Sequence, residues 1–409
     1  MRVIGLDVHR NFAQVAIVEN GHVSQRGRFA MDRVAVLKFA ETLTKEDDVV
    51  LEATGNTAAI VRLLEPFAHR VVIANPLQVR AIAWAKVKTD KIDAATLARL
   101  HAAQFLPEVW MPTEEVCERR RVVAERTQLV SQMTRLKNRI HSILHANLMP
   151  QETGRIFSAK GRAILEGLPL ALDQMRMALR HHDEIRRLAA ELALIDQDVA
   201  RHALDDPEVR RLMTIGGVNV VVAASVLAAI GDIKRFPSSQ KLVAYLGLNP
   251  SVHQSGDRPA YHGHITHQGN GHARSMLVEA AWVIGMGPGP LSAFFHRISL
   301  KRGQPVAAVA TARKLAVLIW HMLTKEQDYT WVRPALLQYK LRALELRSGR
   351  PSRRGGNTPG PARDYSIKSV RDAERDRVCE AERAYENFVA SWKERPPGKG
   401  NAHLNGKSS

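Results

Sequence analysis

Two short apolar segments near the N-terminus each run into a carboxylate. Val3–Leu6 precedes Asp7, and Val49–Leu51 precedes Glu52. Short apolar runs of this kind are typical of buried β-strands. A carboxylate at the end of a buried strand loses hydration, which costs free energy unless a cation or hydrogen-bond donors compensate for it. The pattern therefore predicts a sheet that carries acids at the ends of its strands.

A second pair of acids, Asp90 and Asp93, lies three residues apart at the start of a helical pattern. Residues at this spacing share one face of a helix. Acids that converge on one point repel one another unless cations lie between them, and Mg²⁺ prefers oxygen ligands. In two-metal sites, carboxylates hold cations roughly 3.5–4 Å apart across a scissile phosphate. The candidate ligands for Mg²⁺, or Mn²⁺, are Asp7, Glu52, Asp90 and Asp93.

The composition favours a polyanionic partner. The chain has 409 residues, with 59 Lys and Arg against 41 Asp and Glu and a formal net charge of +18. A charge of this size attracts nucleic acid and makes binding depend on salt. A basic nucleic-acid-binding protein without catalysis remains an alternative on composition alone.

The cysteines and the apolar runs indicate the compartment. Cys117 and Cys379 lie far apart and lack metal-ligand spacing, which argues against a disulfide scaffold or a zinc finger and fits a reducing cytoplasm. No secretory signal pattern opens the sequence. The longest apolar run, Val218–Ile230, is too short to span a bilayer. We therefore expect a cytoplasmic protein with no membrane partner.

Residues 1–110 alternate strand and helix patterns. Three strands come first, and Asn20-Gly21 is a strong hairpin signal between the second and the third. Two further strands, Val49–Glu52 and Val71–Ala74, alternate with helical patterns. This order predicts a mixed sheet as in ribonuclease-H-like domains. It also fits one half of an actin-like or sugar-kinase ATPase.

Residues 111–205 have heptad-like apolar spacing over 122–143 and 185–199. This spacing predicts two long helices that form a coiled coil, within the chain or between chains. The first helix is strongly basic and is either a solvated face or a phosphate-binding stripe. Its candidate nucleic-acid contacts are Arg119, Arg120, Arg126, Arg135, Lys137 and Arg139.

Residues 206–330 form a third, mostly helical region. The turn Ile215–Val218 leads into an Ala-rich helix and resembles a helix-hairpin-helix element, in which backbone N–H groups of Gly216 and Gly217 face a phosphate. A plain helical hairpin is the alternative. Residues 331–409 are basic and rich in Gly, Pro and Ser, which predicts a largely disordered segment in which Asp372–Trp392 forms an isolated amphipathic helix.

Short motifs in a fixed order resemble the DEDD transposases of the insertion sequence 110 (116/902) family. The N-terminal motifs are Gly5–His9, Leu51–Gly55, Asn75-Pro76 and Lys88–Ala94. The later motifs are Ile215–Val218, Gly231–Ile233, Arg235-Phe236, Tyr245–Pro250, Gln254–Gly256 and Gly263–Thr266.

The resemblance implies a fold of class α/β plus α. Its parts are a RuvC-like ribonuclease-H domain that holds Mg²⁺ on the four acids, a coiled-coil dimerisation region and a C-terminal transposase domain with a nucleophilic serine. It also implies donor and target DNA as substrates, a non-coding guide RNA, and a homodimer or homotetramer in a bacterial cytoplasm, associated with the nucleoid when bound to DNA.

Ser255 matches the family's nucleophile, since Gln-Ser-Gly follows Leu-Gly-Leu-Asn-Pro. Ser251 and Ser275 are the other candidates. Arg274 matches a family arginine and is a candidate phosphate contact. If no serine reacts, a Mg²⁺-dependent junction resolvase or nuclease that uses the acids alone is the alternative.

A histidine-rich stretch invites a zinc interpretation, but it lacks a cysteine or an acid at ligand spacing. Its members are His262, His264, His267 and His272.

Overall fold

A computed structural model describes residues 2–83, 89–149, 155–254, 261–351 and 360–391, apart from the side chain of His262. The chain divides into two units, with the boundary between Thr113 and Glu114. The described part of the first unit combines helices with a five-stranded sheet, and that of the second combines helices with a two-stranded sheet. This agrees with the predicted class of α/β plus α.

The sheet of the first unit is mixed. It consists of β1 (Arg2–Val8), β2 (Phe12–Glu19), β3 (His22–Ala30), β4 (Asp47–Glu52) and β5 (Arg70–Ala74). The strand order is β3-β2-β1-β4-β5. The first three strands pair antiparallel, whereas β4 pairs parallel with β1 and β5. The predicted strands are confirmed, and the sheet is compatible with a ribonuclease-H-like fold.

Helices cover the sheet. They are α1 (Arg33–Ala40), α2 (Thr57–Leu64), α3 (Pro76–Ile82) and α4 (Asp90–Ala102). Leu6 and Leu51 share one core with α1 and α2. Val50, on the other face, shares a second core with Leu97 of α4. Because neighbouring strand residues point to opposite faces and both faces are covered, Val3–Leu6 of β1 and Val49–Leu51 of β4 are apolar up to Asp7 and Glu52.

α4 lies against β1 at very short range. A Cβ atom on Gly5 would lie 2.0 Å from the carbonyl oxygen of Ala94. Ala94 and Ala98 are fully buried, and their small side chains permit this approach. Since α4 begins at Asp90, the packing at Gly5 fixes where its first turn lies along β1.

A β-bulge shifts the pairing of β2 with β3. Ala16 pairs with Gln25, whereas Val15 pairs with Gly27, so Arg26 is the extra residue. Gly27 has a φ of +87°, a backbone conformation that favours glycine. The shift places Arg28 opposite Gln14.

Two buried acids begin β4. Asp47 accepts hydrogen bonds from Arg2, with Nε to Oδ1 at 2.6 Å. Asp48 Oδ1 lies 2.8 Å from Nδ1 of His69, and Oδ2 lies 2.8 Å from Nε2 of His101. Burial acts to raise the pKa of Asp48, but the hydrogen bonds from His101 and His69 outweigh it, so this pKa is lowered.

The second unit is built from eleven helices in its described residues. They are α5 (Glu114–Ala146), α6 (Gly161–Glu166), α7 (Leu172–Leu204), α8 (Pro207–Met213), α9 (Val220–Ile230), α10 (Ser239–Tyr245), α11 (Gly271–Gly285), α12 (Pro290–Arg302), α13 (Gln304–Lys325), α14 (Pro334–Arg347) and α15 (Lys368–Ser391), with 3-10 turns at Arg155–Phe157, Ile233–Arg235 and Pro361–Ser366 and strands β6 (Pro250–His253) and β7 (Tyr261–Ile265).

The two long helices that the heptad spacing predicts are confirmed. α5 and α7 each have 33 residues and pack against one another. Coiled-coil association between chains stays a prediction. The domain boundaries predicted at residues 205 and 330 fall inside this second unit.

The prediction that residues 331–409 are largely disordered is wrong for 334–347 and 361–366, which form α14 and a 3-10 turn, whereas the helix predicted at 372–392 is present as α15 and is packed against other helices instead of isolated. Leu344 and Val378 are buried. The Glu374 carboxylate accepts a hydrogen bond from the backbone N–H of Ala335 at 2.5 Å and lies 3.6 Å from Arg333. Composition averaged over the segment conceals these few apolar anchors and the buried acid.

Among the described residues, α13 is the one helix long and apolar enough to cross a membrane. Half of its apolar window is buried in the unit. Leu315 and Ile319 belong to the main core, and the central Lys314 donates a hydrogen bond to the Tyr385 hydroxyl at 3.0 Å. These contacts are those of a core helix.

Replacing Gly5 with alanine tests the packing of α4. We expect Gly5→Ala to lower the free energy of unfolding by about 1–3 kcal/mol or more, because the added Cβ overlaps backbone that cannot rotate away. Gly55→Ala is the matched control, since a Cβ there has nothing within 4 Å. Urea unfolding of both variants measures the difference, and equal stability would contradict the close approach.

Asp48→Asn tests the buried acid. We expect it to lower the free energy of unfolding at pH 7 by about 2–4 kcal/mol, because it removes a charged acceptor shared by two histidines. The folded-state pKa of Asp48 is lowered, so its contribution is complete above the unfolded pKa of about 3.9 and is lost as pH falls through the folded value. The deficit should shrink in acid, whereas the exposed Glu46→Gln should change little at any pH.

Candidate active site

The end of β1 brings together three of the four predicted acids. Asp7 is half-buried near the end of β1, and α4 places Asp90 and Asp93 in its first turn. The Asp90 and Asp93 carboxylates act electrostatically on Asp7. Glu52 ends β4, one residue beyond the last parallel pair, Leu6 with Leu51. Asp7 and Glu52 thus end neighbouring parallel strands at the same edge of the sheet.

His9 lies between two of these acids. Its Nε2 is 3.0 Å from Asp7 Oδ2 and 3.4 Å from Asp90 Oδ1. One ligand atom from each of the three side chains lies within 4.8 Å of the others. The sequence motif contains His9, but it was not predicted as a site residue. Its position two residues after Asp7 is the signal that could have identified it.

A row of side chains crosses the sheet from Asp7. Strand register places Gln14 opposite Asp7 and Arg28 opposite Gln14. Arg28 donates from Nε to Gln14 Oε1 at 3.1 Å and from Nη2 to Asp90 Oδ2 at 3.0 Å. Its guanidinium carbon lies 4.4 Å from the ring centre of Phe12. Arg28 therefore ties β3 to the acidic first turn of α4.

The first turn of α4 suits acidic side chains. Thr89 caps the helix by accepting a hydrogen bond from the N–H of Ile92 at 3.4 Å. The positive end of the helix dipole lies in this turn and stabilises Asp90 and Asp93. The same residues begin the helix and supply the candidate ligands.

The electrostatics of this cluster fit a divalent cation. Burial raises the pKa of Asp7, the nearby charges of Asp93 and Asp90 raise it further, and His9 opposes the rise. A divalent cation among these groups would relieve both the desolvation and the repulsion. Carboxylate oxygens with one imidazole nitrogen are a donor set that Mg²⁺ and Mn²⁺ accept.

The predicted nucleophile, Ser255, lies outside the described residues. It falls between β6 and β7, an antiparallel pair that the sequence pattern did not predict. Of the other candidates, Ser251 is half-buried on β6, and Ser275 is exposed on α11. A Cβ on Gly263 would lie 2.5 Å from Ser251 Oγ, so this glycine permits the strands to pair closely.

The basic residues of α5 fall into two groups. Three arginines have partners within the unit: Arg119 with Asp206 at 2.8 Å, Arg120 with the carbonyl of Ala228 at 2.8 Å, and Arg126 with Asp196 at 2.6 Å. Further along the helix, Arg135 and Arg139 are exposed, whereas Lys137 is half-buried with Nζ 5.4 Å from the Phe157 ring centre. The exposed pair is the part of the predicted stripe that can meet a phosphate without breaking a contact within the unit.

The predicted glycine turn connects α8 to α9. Gly216 is exposed, and a Cβ on Gly217 would lie 2.7 Å from the carbonyl oxygen of Ala280 in α11. Asn219 caps α9 by accepting a hydrogen bond from Val222 N–H at 2.9 Å. Arg274 donates to the carbonyls of Leu246 and His267, at 3.2 and 3.3 Å. Arg274 therefore holds the segment that precedes α11 against the residues that follow α10.

The histidine-rich stretch forms no metal cluster among the described side chains, where the one cluster of this kind is Asp7, His9 and Asp90. His264 and His267 are exposed. His272 is half-buried beside α5, with Nδ1 3.4 Å from Thr127 Oγ1.

Family models match both units. A model described as a transposase of the IS116/IS110/IS902 family matches residues 209–294. A second, the DEDD transposase model of IS110, matches residues 4–148 and so includes all four acids.

Individual relatives agree with these matches. A probable family 20 transposase of Pseudomonas aeruginosa is 26% identical and aligns with 80% of this chain and 98% of its own length. The transposase for insertion sequence element IS1111A of Coxiella burnetii is 27% identical over 80% of this chain and 91% of its own. A pilin gene-inverting protein of Moraxella bovis is 24% identical over 80% and 97%. The chain therefore belongs to the IS110/IS116/IS902 family of transposases, enzymes that transfer strands of DNA.

Proposed function

We propose that this transposase excises and inserts a mobile element by serine attack on DNA phosphates at a Mg²⁺-dependent site. The observation that carries the proposal is the convergence of Asp7, His9 and Asp90 at the end of β1. Asp93, in the same first turn of α4, and Glu52, on the neighbouring strand, complete the proposed ligand set. Bound Mg²⁺ would supply the positive charge that activates the attacking hydroxyl and stabilises the leaving 3′ oxygen.

The proposed reaction is a transesterification. Ser255 Oγ forms a bond to the DNA phosphorus, and the bond from phosphorus to the 3′ oxygen breaks. The hydroxyl proton passes to solvent, and the 3′ oxygen takes one up. The product is a phosphoserine link that conserves the phosphoester for a later strand transfer. Mn²⁺ is expected to replace Mg²⁺ because it accepts the same oxygen ligands.

The chain's charge and its family support the proposed partners. Donor and target DNA are bound by Arg135, Arg139 and the turn at Gly216 and Gly217. A non-coding RNA selects the sites by base pairing, which suits a basic protein with few aromatic stacking residues. We propose a homodimer or homotetramer formed through α5 and α7. In it, the acids and the serine of one composite site come from different protomers. The protein acts in a bacterial cytoplasm, at the nucleoid.

A second candidate is a Mg²⁺-dependent junction resolvase or nuclease that uses the acids alone. It is supported by the same metal cluster and needs no contribution from Ser255. The ATPase alternative loses its support, since the matched families are transposases.

Asp7→Asn tests the acids. With labelled donor and target DNA, the element's flanking RNA and Mg²⁺, we expect strand cleavage to fall at least about 100-fold. Mutation of a residue that only hydrogen-bonds to a metal ligand already lowers metal affinity or activity by about 10–100-fold, and Asp7 is a proposed ligand itself. The exposed Glu46→Gln is the control, and its cleavage should equal that of the unmodified protein. Cleavage by Asp7→Asn at the control rate would contradict the proposed site.

Ser255→Ala separates the two candidate functions. On a denaturing gel, the unmodified protein should form a covalent adduct with labelled DNA, and Ser255→Ala should lose both adduct and strand transfer, because alanine has no nucleophilic oxygen. Ser251→Ala and Ser275→Ala should keep both. Cleavage without an adduct that persists in Ser255→Ala would favour the nuclease.

A further inference from the structure

The turn between α8 and α9 encloses a charged group from a distant helix. Lys340 of α14 donates from Nζ to three backbone carbonyl oxygens, those of Met213, Ile215 and Val218, at 2.9, 2.7 and 2.9 Å. The three oxygens belong to six consecutive residues, so the chain wraps around one ammonium group. Lys340 thereby joins the backbone of the turn to α14.

The direction of these carbonyls decides what the outer side of the turn presents. In a trans peptide the C=O of one residue and the N–H of the next point in opposite directions. With the carbonyls of Ile215 and Val218 directed at Lys340, the N–H groups of Gly216 and Asn219 point away from it. Both residues are exposed. The turn therefore presents N–H groups outward, above the half-buried ammonium group of Lys340, which is an arrangement that attracts an anion.

Converging neutral carbonyls are the ligands that proteins use for monovalent cations, because they replace the water shell of K⁺. The Lys340 ammonium occupies the centre of such a set. Burial lowers the pKa of Lys340 to about 7, and the nearby charge of Arg333 adds to this shift. A charge in such a place needs close acceptors to remain favourable, and the three oxygens supply them.

We propose that the carbonyl oxygens of Met213, Ile215 and Val218 form a monovalent-cation site that Lys340 fills from α14. The lysine takes the place of a K⁺ or NH₄⁺ ion and fixes the shape of the turn. Its effect on DNA rests on the proposed function, in which Gly216 and Gly217 contact a phosphate. If Lys340 only joined α14 to the turn, no ion could replace it, and this distinguishes the alternative from a cation site.

Lys340→Ala opens the site to an ion from solution. Thermal unfolding of the full chain is measured in NH₄Cl, KCl and tetramethylammonium chloride, each at about 0.15 M so that screening is equal. We expect the melting temperature of Lys340→Ala to be about 2–4 °C higher in NH₄⁺ or K⁺ than in tetramethylammonium, which is too large to enter the site. The unmodified protein should melt alike in all three salts.

Two further variants act as controls. Lys340→Met fills the same space without charge and should not respond to the choice of cation. Lys325→Ala removes an exposed positive charge from the end of α13 and should melt alike in all three salts. A melting temperature of Lys340→Ala that is the same in all three salts, or no folding in any of them, overturns the proposal. An equal response from Lys340→Met also overturns it, because the ion would then act elsewhere.

DNA binding by the same variants tests the part that rests on the proposed function. By fluorescence anisotropy with labelled duplex, Lys340→Ala should bind about tenfold more weakly in tetramethylammonium, the scale of one charge-assisted contact, and recover in NH₄⁺. Recovery of melting temperature with unchanged DNA affinity would uphold the cation site and overturn the phosphate role of the turn.

Discussion

The approach of α4 to β1 at Gly5 is the contact on which the rest of the first unit depends. The helix backbone comes so near that a single Cβ would overlap the Ala94 carbonyl. The acids at the helix start are one turn away, so their distance from Asp7 is set by this packing and not by the flexibility of a loop. A site built on a strand and a helix keeps its ligands in place before a metal arrives, which reduces the cost of binding.

Much of this unit could be predicted from the sequence, because β1, β2, β4 and β5 are largely short apolar runs, the Asn20-Gly21 turn marks the polar strand β3, and Asp7 and Glu52 come at or next to strand ends. The tie between Arg28 and Asp90 could not. The Asn20-Gly21 turn predicts continuous pairing that would place Gln14 opposite Gly27 and direct Arg28 to the other face of the sheet. The bulge at Arg26 shifts the register by one residue, and nothing in the local pattern required it.

The second unit shows where sequence patterns fail for a different reason. Heptad spacing predicts α5 and α7. It does not show which arginines of α5 are free to bind phosphate and which, like Arg119, Arg120 and Arg126, are paired within the unit, because those pairs depend on three-dimensional contacts. The average composition after residue 331 predicts disorder, but α14 and α15 are held in place by a few buried residues and by Lys340. Both outcomes concern long-range pairs, which local propensity does not encode.

The most direct test of the account is metal binding itself, measured apart from catalysis. Titration of the full chain with Mn²⁺, followed by electron paramagnetic resonance, should show bound Mn²⁺ that Mg²⁺ displaces. The same titration of Asp7→Asn and Asp90→Asn should show that binding strongly weakened, with Glu46→Gln unchanged. Equal Mn²⁺ binding by all four proteins would contradict the claim that the end of β1 and the first turn of α4 form the metal site.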